Sequence, residues 1–225
     1  MLTGASEIPG LVFRHFGGAG DFVGMAAAAN ASYKADGVER LSRAEDLERY
    51  YAHLVGCDIR RDMLQVEVNG ELVSYNRMYW QREEPGPWVY GSLGVLRPEW
   101  RGRGLEQPIL NYMEGHLRQM AAGHASEEQR FFQGDAADTE TARGALLLST
   151  GYEVVRREQM MAQPLGGPVA VSPMPDGLEV RPVGPDRYRD VWEADAEAFR
   201  DHWGYVPPTE DDYQGWQDSP HFNPA

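Results

Sequence analysis

The stretch Gly91–Met120, GSLGVLRPEWRGRGLEQPILNYMEGHLRQM, constrains this chain more than any other. Tyr90 to Leu96 is short and apolar, which predicts a strand; Leu105, Ile109, Met113, Leu117 and Met120 recur at helical spacing, which predicts a helix with one buried face. Between them, Arg101-Gly102-Arg103-Gly104 is a tight turn whose glycines accept positive φ. Backbone N–H groups at the helix start can then face an anion, assisted by the helix dipole. Pro108 suits such a helix because it falls in the first turn, where a missing N–H costs little.

VLRPEWRGRGLEQPIL resembles the acetyl-CoA-binding motif of the GCN5-related N-acetyltransferase (GNAT) family, in which a strand ends in R/Q-x-x-G-x-G/A and a helix follows. Arg101 and Gly104 match the first two fixed positions, and Glu106 stands where the family has Gly or Ala. The resemblance implies an α+β fold: a central mixed, mostly antiparallel sheet flanked by helices. It implies acetyl-CoA (coenzyme A), its pyrophosphate held by Arg101, Gly102, Arg103, Gly104, Leu105 and Glu106 and its pantetheine arm by the backbone of Val95 and Leu96. A carboxylate at position 106 would repel that pyrophosphate. Gly151-Tyr152-Glu153 resembles the family's Gly-Phe-Glu ending. Four residues before that glycine the family often carries a tyrosine that protonates the leaving thiolate, and here the position is Leu147. The implied activity is N-acetyl transfer, the amine of a small-molecule or peptide acceptor attacking the thioester directly. No catalytic residue is assigned. The two departures support a second reading, a degenerate domain acting as scaffold or weak CoA-binding module.

A formal charge of −14 and a pI near 4.8 argue against nucleic acid as a partner, since phosphate binding calls for a basic surface. Cys57 is the single cysteine, so neither an internal disulfide nor a cysteine-rich metal site is expected. The absence of a long apolar run or a signal-like start predicts a cytoplasmic protein without a membrane span. The six histidines, at 15, 53, 116, 124, 202 and 221, show no metal-ligand spacing.

In chain order, Leu11 to Phe16 predicts a first strand, Asp21 caps a helix over 22–32, and Ser42 with Glu45 has capping-box spacing ahead of a second helix. Leu64 to Val68, Asn69-Gly70 and Glu71 to Trp80 predict a hairpin, and Glu84-Pro85-Gly86-Pro87 turns the chain into Trp88–Leu96. After a loop over 123–128, a strand at Gln129–Gly134, a helix at Thr139–Ser149 and a strand at Tyr152–Met161 follow. The aromatic stripe Tyr75, Tyr79, Trp80, Trp88 and Tyr90 either shapes an acceptor pocket or pairs across the sheet. Tyr90 and Ser92 lie on the strand that would flank the thioester.

The first domain is expected over 1–165, with a linker over 166–177. Residues 178–225 then echo the beginning of the chain: Leu178-Glu179-Val180-Arg181 matches Leu11-Val12-Phe13-Arg14, and Phe199 and Trp216 answer Tyr33 and Tyr50 at one shared offset of 166. A strand and two helices of an incomplete second GNAT repeat are expected, ending at Ala225. FRDHWGYVPPTEDDY also resembles the start of the C-terminal domain in tandem bacterial members of the family, the mycothiol synthase-like group. A lone strand with two helices buries little apolar surface, so this piece is expected to pack on the first domain or on a second copy of the chain as a homodimer.

Overall fold

The computed structural model describes residues 8–124, 127–164, 166–167 and 172–222. Parts of the expected 123–128 loop and 166–177 linker, and Ala225, lie outside them. Among the described residues, five strands form one sheet in sequential order: β1 (Leu11–Arg14), β2 (Met63–Val68), β3 (Glu71–Arg82), β4 (Trp88–Leu96) and β5 (Arg130–Gly134). The first three pairings are antiparallel and β4 to β5 is parallel. The sheet is therefore mixed and mostly antiparallel. The β2–β3 turn carries Asn69 at φ 52° and Gly70 at φ 82°, as a type I′ hairpin requires. Helices α1 (Asp21–Asp36) and α2 (Ala44–Ala52) cover one face, and α3 (Glu106–Ala122) covers the other, with α4 (Thr141–Ser149) beside it.

Apolar burial decides α3. Leu105, Ile109, Leu110, Met113 and Leu117 are all buried against β3 and β4, each contributing about 2 kcal/mol, which outweighs the roughly 1 kcal/mol that Gly115 costs inside a helix. On the opposite face, Phe22, Met25, Ala28 and Ala29 of α1 pack with Tyr51 of α2 and Tyr75 of β3.

Four local expectations are corrected. Asp21 lies inside the first turn of α1 rather than capping it; its carboxylate accepts from the Gly17 N–H (2.7 Å) and pairs with Arg14, whose guanidinium also reaches Glu67. Ser42 does not cap α2, because its backbone is clamped by the Asn30 amide in both directions, and Arg43 is the cap residue. Residues 152–161 make no strand: among the described residues the sheet ends at β5, Val154 and Val155 are exposed, and Arg156 turns instead to stack 4.7 Å over Trp203. β propensity without a ladder partner does not make a strand. Leu178–Arg181 likewise forms no strand.

The two helices expected after it are present, α5 (Tyr188–Ala198) and α6 (Glu210–Gln217), the latter with a capping box between Thr209 and Asp212. They dock on the body through α2: His53 Nε2 lies 2.8 Å from Asp218 Oδ2, Gly215 sits against the His53 side chain, and the Glu84 N–H donates to the Tyr205 carbonyl. Trp192, Tyr213, Trp216, Tyr188 and Phe222 form their own aromatic cluster. Among the described residues, no helix is long and apolar enough to cross a membrane.

Asp62 is the polar pin of the body. Its side chain is fully buried and accepts from the Asp58 N–H, from Arg61 and from His116 of α3. Burial alone would raise its pKa, but these hydrogen bonds outweigh burial and hold it below the ordinary carboxylate value. The stabilisation is therefore complete above the unfolded value near pH 4 and is lost as pH falls through the lowered folded value. Urea midpoints measured from pH 7 down to pH 2 should fall more steeply for the native chain than for Asp62→Asn, and Asp62→Ala should cost about 2 kcal/mol at pH 7.

Candidate functional site

Parallel pairing of β4 with β5 ends at Ser92 opposite Gly134, while β4 stays paired with β3 as far as Leu96. The last four residues of β4 thus have a neighbour on one side only. A cavity of about 140 Å³ opens there, floored by Ser74, Asn76 and Gly94, roofed by the start of α3, and walled by Arg143 and Leu147 of α4.

The glycine turn forms the upper rim. Gly102 and Gly104 sit at φ 69° and 81°, conformations that a side chain would strain. Leu105 is the residue before α3 and is fully buried in the core, so it anchors the turn from below. Arg103 stacks 4.8 Å over Trp100. The Arg101 guanidinium is spread over α1: Nη1 and Nη2 reach the two Asp36 oxygens at 2.6 and 2.7 Å, and Nη2 also donates to Ser32 Oγ at 2.7 Å. Asp36 raises the Arg101 pKa, although partial burial opposes it. Glu106 folds back so that its Oε1 accepts the Gly102 N–H at 2.5 Å. A carboxylate of the chain itself thus occupies a backbone donor at the mouth of an anion site.

Along β4, Val95 turns its side chain into the α1/α2 core, and its carbonyl accepts from Ser74 Oγ at 2.6 Å. The Leu96 carbonyl accepts from Arg101 Nε at 3.3 Å. The Gly94 carbonyl receives Arg143 Nη1 at 3.2 Å, while Arg143 Nε donates to the Asp135 carbonyl at 2.6 Å, so this side chain spans the opening between β4 and the β5 side. Leu147 is buried in the wall and packs beside Gly134. The backbone shape, two positive-φ glycines beneath a helix start and a strand without a second neighbour, fits a pantetheine arm ending in a diphosphate. The charge lining it, Arg101 and Arg143 against Asp36, Glu106 and Glu140, fits that diphosphate only after the half-buried Glu106 swings out.

Sequence reasoning missed Arg143, Asp36 and Ser32, which carry no motif and are brought in from α4 and α1. Of the aromatic stripe, Tyr75 and Tyr79 lie on the α1/α2 face, while Trp80, Trp88 and Tyr90 gather around His124 on the other. The Tyr90 hydroxyl lies 3.0 Å from His124 Nδ1, and Ser92 is buried away from the cavity. His202 faces Phe199 on the surface. Among the described residues, no His, Cys, Asp and Glu group could hold a metal ion.

This architecture is the GNAT fold. A GCN5-related N-acetyltransferase from Sphaerobacter thermophilus superposes with a TM-score of 0.66 at 22% identity, over 93% of this chain and 63% of that one. The yncA structure from Salmonella typhimurium, solved with its cofactor acetyl-CoA, gives a TM-score of 0.50 at 18% identity over 65% of this chain and 82% of its own. In sequence, the chain is 29% identical over 206 residues to the mycothiol acetyltransferase of Streptosporangium roseum, covering 87% of this chain and 53% of that protein. It is 28% identical over 160 residues to that of Salinispora tropica, covering 70% and 47%. The chain spans about half the length of the curated relatives it matches. No family model matches it.

Replacing Arg101 by Met leaves Asp36, whose side chain is 8% exposed, as a buried charge without its partner. The variant should lose about 2–3 kcal/mol in urea unfolding, the cost of an orphaned buried charge reduced for the partial exposure of the arginine, and the double variant with Asp36→Asn should recover part of it.

Proposed function

We propose that this chain is the acyl-CoA-handling domain of an N-acetyltransferase. The observation that carries this is the β4 end freed from β5 directly beneath a positive-φ glycine turn and a helix N-terminus, in a chain related in sequence to mycothiol acetyltransferases. Acetyl-CoA would supply the activated acyl thioester. The turn Arg101–Glu106 would place its backbone donors around the diphosphate, and the Gly94–Leu96 edge would align the pantetheine arm. With the acyl group fixed against the sheet, a neutral amine attacks directly and positioning provides most of the rate. The described wall of the cleft offers Leu147 where a proton donor would stand, so the leaving thiolate is served by no side chain at that position. Residues 178–225 we read as the start of a second repeat of the same fold, with α5 and α6 corresponding to α1 and α2.

A second reading has its own observation. Glu106 on the Gly102 N–H and Arg143 on the Gly94 carbonyl fill both ends of the cleft from within, as a domain retained for scaffolding would allow. Calorimetry with acetyl-CoA separates the two. The first reading expects saturable binding by the native chain, tightened at least about tenfold, or ~1.4 kcal/mol, in Glu106→Gly, where the diphosphate no longer competes with a carboxylate. Heat of dilution alone from both proteins at millimolar acetyl-CoA would leave the scaffold.

A further inference from the structure

Arg77 stands on β3 in register with Leu93, one residue before the Gly94 that floors the cleft, and its side chain points to the α1/α2 face. It is only 9% exposed, and its Nε and Nη1 have no hydrogen-bond partner. Nη2 makes one long contact, 3.4 Å to the Tyr50 hydroxyl. The guanidinium is boxed by three tyrosine rings, Tyr50, Tyr51 and Tyr79, with centroids 5.3, 5.4 and 5.3 Å away. No described carboxylate pairs with it. The acidic groups close by are neutral at physiological pH: burial pushes the Tyr51 phenol and the Cys57 thiol each up to about 12. Aromatic faces relieve part of the cost of burying this charge, but they leave N–H donors in the guanidinium plane unmet, and unmet buried donors are costly.

The box has a fixed floor and an exposed cover. Gly91 has no side chain, and a Cβ there would fall 2.1 Å from Tyr79 Cζ, so the Tyr79 ring is seated on bare backbone next to Arg77. The cover is Tyr50, which is 57% exposed on the nine-residue helix α2, so a ring rotation uncovers the guanidinium without moving the sheet. A carboxylate is the group that meets these demands: planar, anionic, and able to accept from in-plane guanidinium N–H groups and from a phenol hydroxyl.

We infer that Arg77, with Tyr50 and Tyr79, binds the carboxylate of a small ligand. Resting on the acyl-transfer reading, that ligand is the acceptor, an amine that also carries a carboxylate, oriented by Arg77 from the face opposite α3.

The test is direct binding, independent of acetyl-CoA, so it fails or succeeds separately from acyl transfer. In the full ¹⁵N-labelled chain the Arg77 Nε–H resonance, assigned by its loss in Arg77→Met, is followed during titration with β-alanine, acetate, ethanolamine and inorganic phosphate at constant ionic strength. Saturable shifts with β-alanine and acetate, none with ethanolamine, and at least about tenfold weaker β-alanine binding by calorimetry in Arg77→Met are expected. Arg77→Lys, which keeps the charge and loses the planar fork, should show a similar loss should the Met variant not fold. Tyr50→Phe, which keeps the ring and loses the phenol donor, should bind β-alanine more weakly than the native chain, by less than the Arg77 variants. No shift up to about 100 mM of either carboxylate, a shift with phosphate alone, or unchanged affinity in the Arg77 variants would overturn the assignment.

Discussion

A mismatch in strand length governs this molecule. β4 runs nine residues and β5 five, so their parallel ladder ends at Ser92 while β4 continues along β3 to Leu96. Unpaired backbone in a protein interior has to be met by something. The chain meets it with side chains from three different places: Ser74 on the Val95 carbonyl, Arg143 on the Gly94 carbonyl and Arg101 on the Leu96 carbonyl. The cavity, the glycine rim and the position of α3 all follow from that early end of the ladder.

Electrostatics inside the rim are self-contained. Arg101 is committed to Asp36 and Ser32, and Glu106 is committed to the turn amide. A ligand phosphate arriving there meets an arginine already neutralised and a donor already accepted. The interior of the α1/α2 face shows the opposite condition at Arg77, a cation with aromatic neighbours and no carboxylate partner among the described residues. The two cationic positions thus differ in availability: the one belonging to the motif is spent on the fold, and the one outside it is not.

Most of the body was legible in the sequence because it is set by local periodicity. The Asn69-Gly70 hairpin, the bounds of β4 and the apolar stripe of α3 all depend on residues close in the chain. What was not legible depends on partners far away. Val154-Val155 has the composition of a strand, yet a strand exists only where another edge pairs with it, and Arg156 finds Trp203 first. Ser42 and Glu45 have capping spacing, yet Asn30 from α1 claims the Ser42 backbone. In the cleft, the glycine turn was readable as a motif, but Asp36 and Arg143 arrive from 65 and 49 residues away and carry no pattern of their own. Arg77 lies within the Glu71–Trp80 stretch and belongs to no motif.

Helix α2 is the smallest element with the most obligations. Its Tyr51 fills the core beneath α1, its Tyr50 lies over Arg77, and the His53 that follows it holds Asp218 and the α6 backbone at Gly215. One rigid nine-residue rod therefore joins the guanidinium box to the C-terminal helices. Thermodynamic linkage makes any coupling across that junction reciprocal: the factor by which the α6 contact alters the affinity of the box is the factor that occupation of the box returns to the α6 contact.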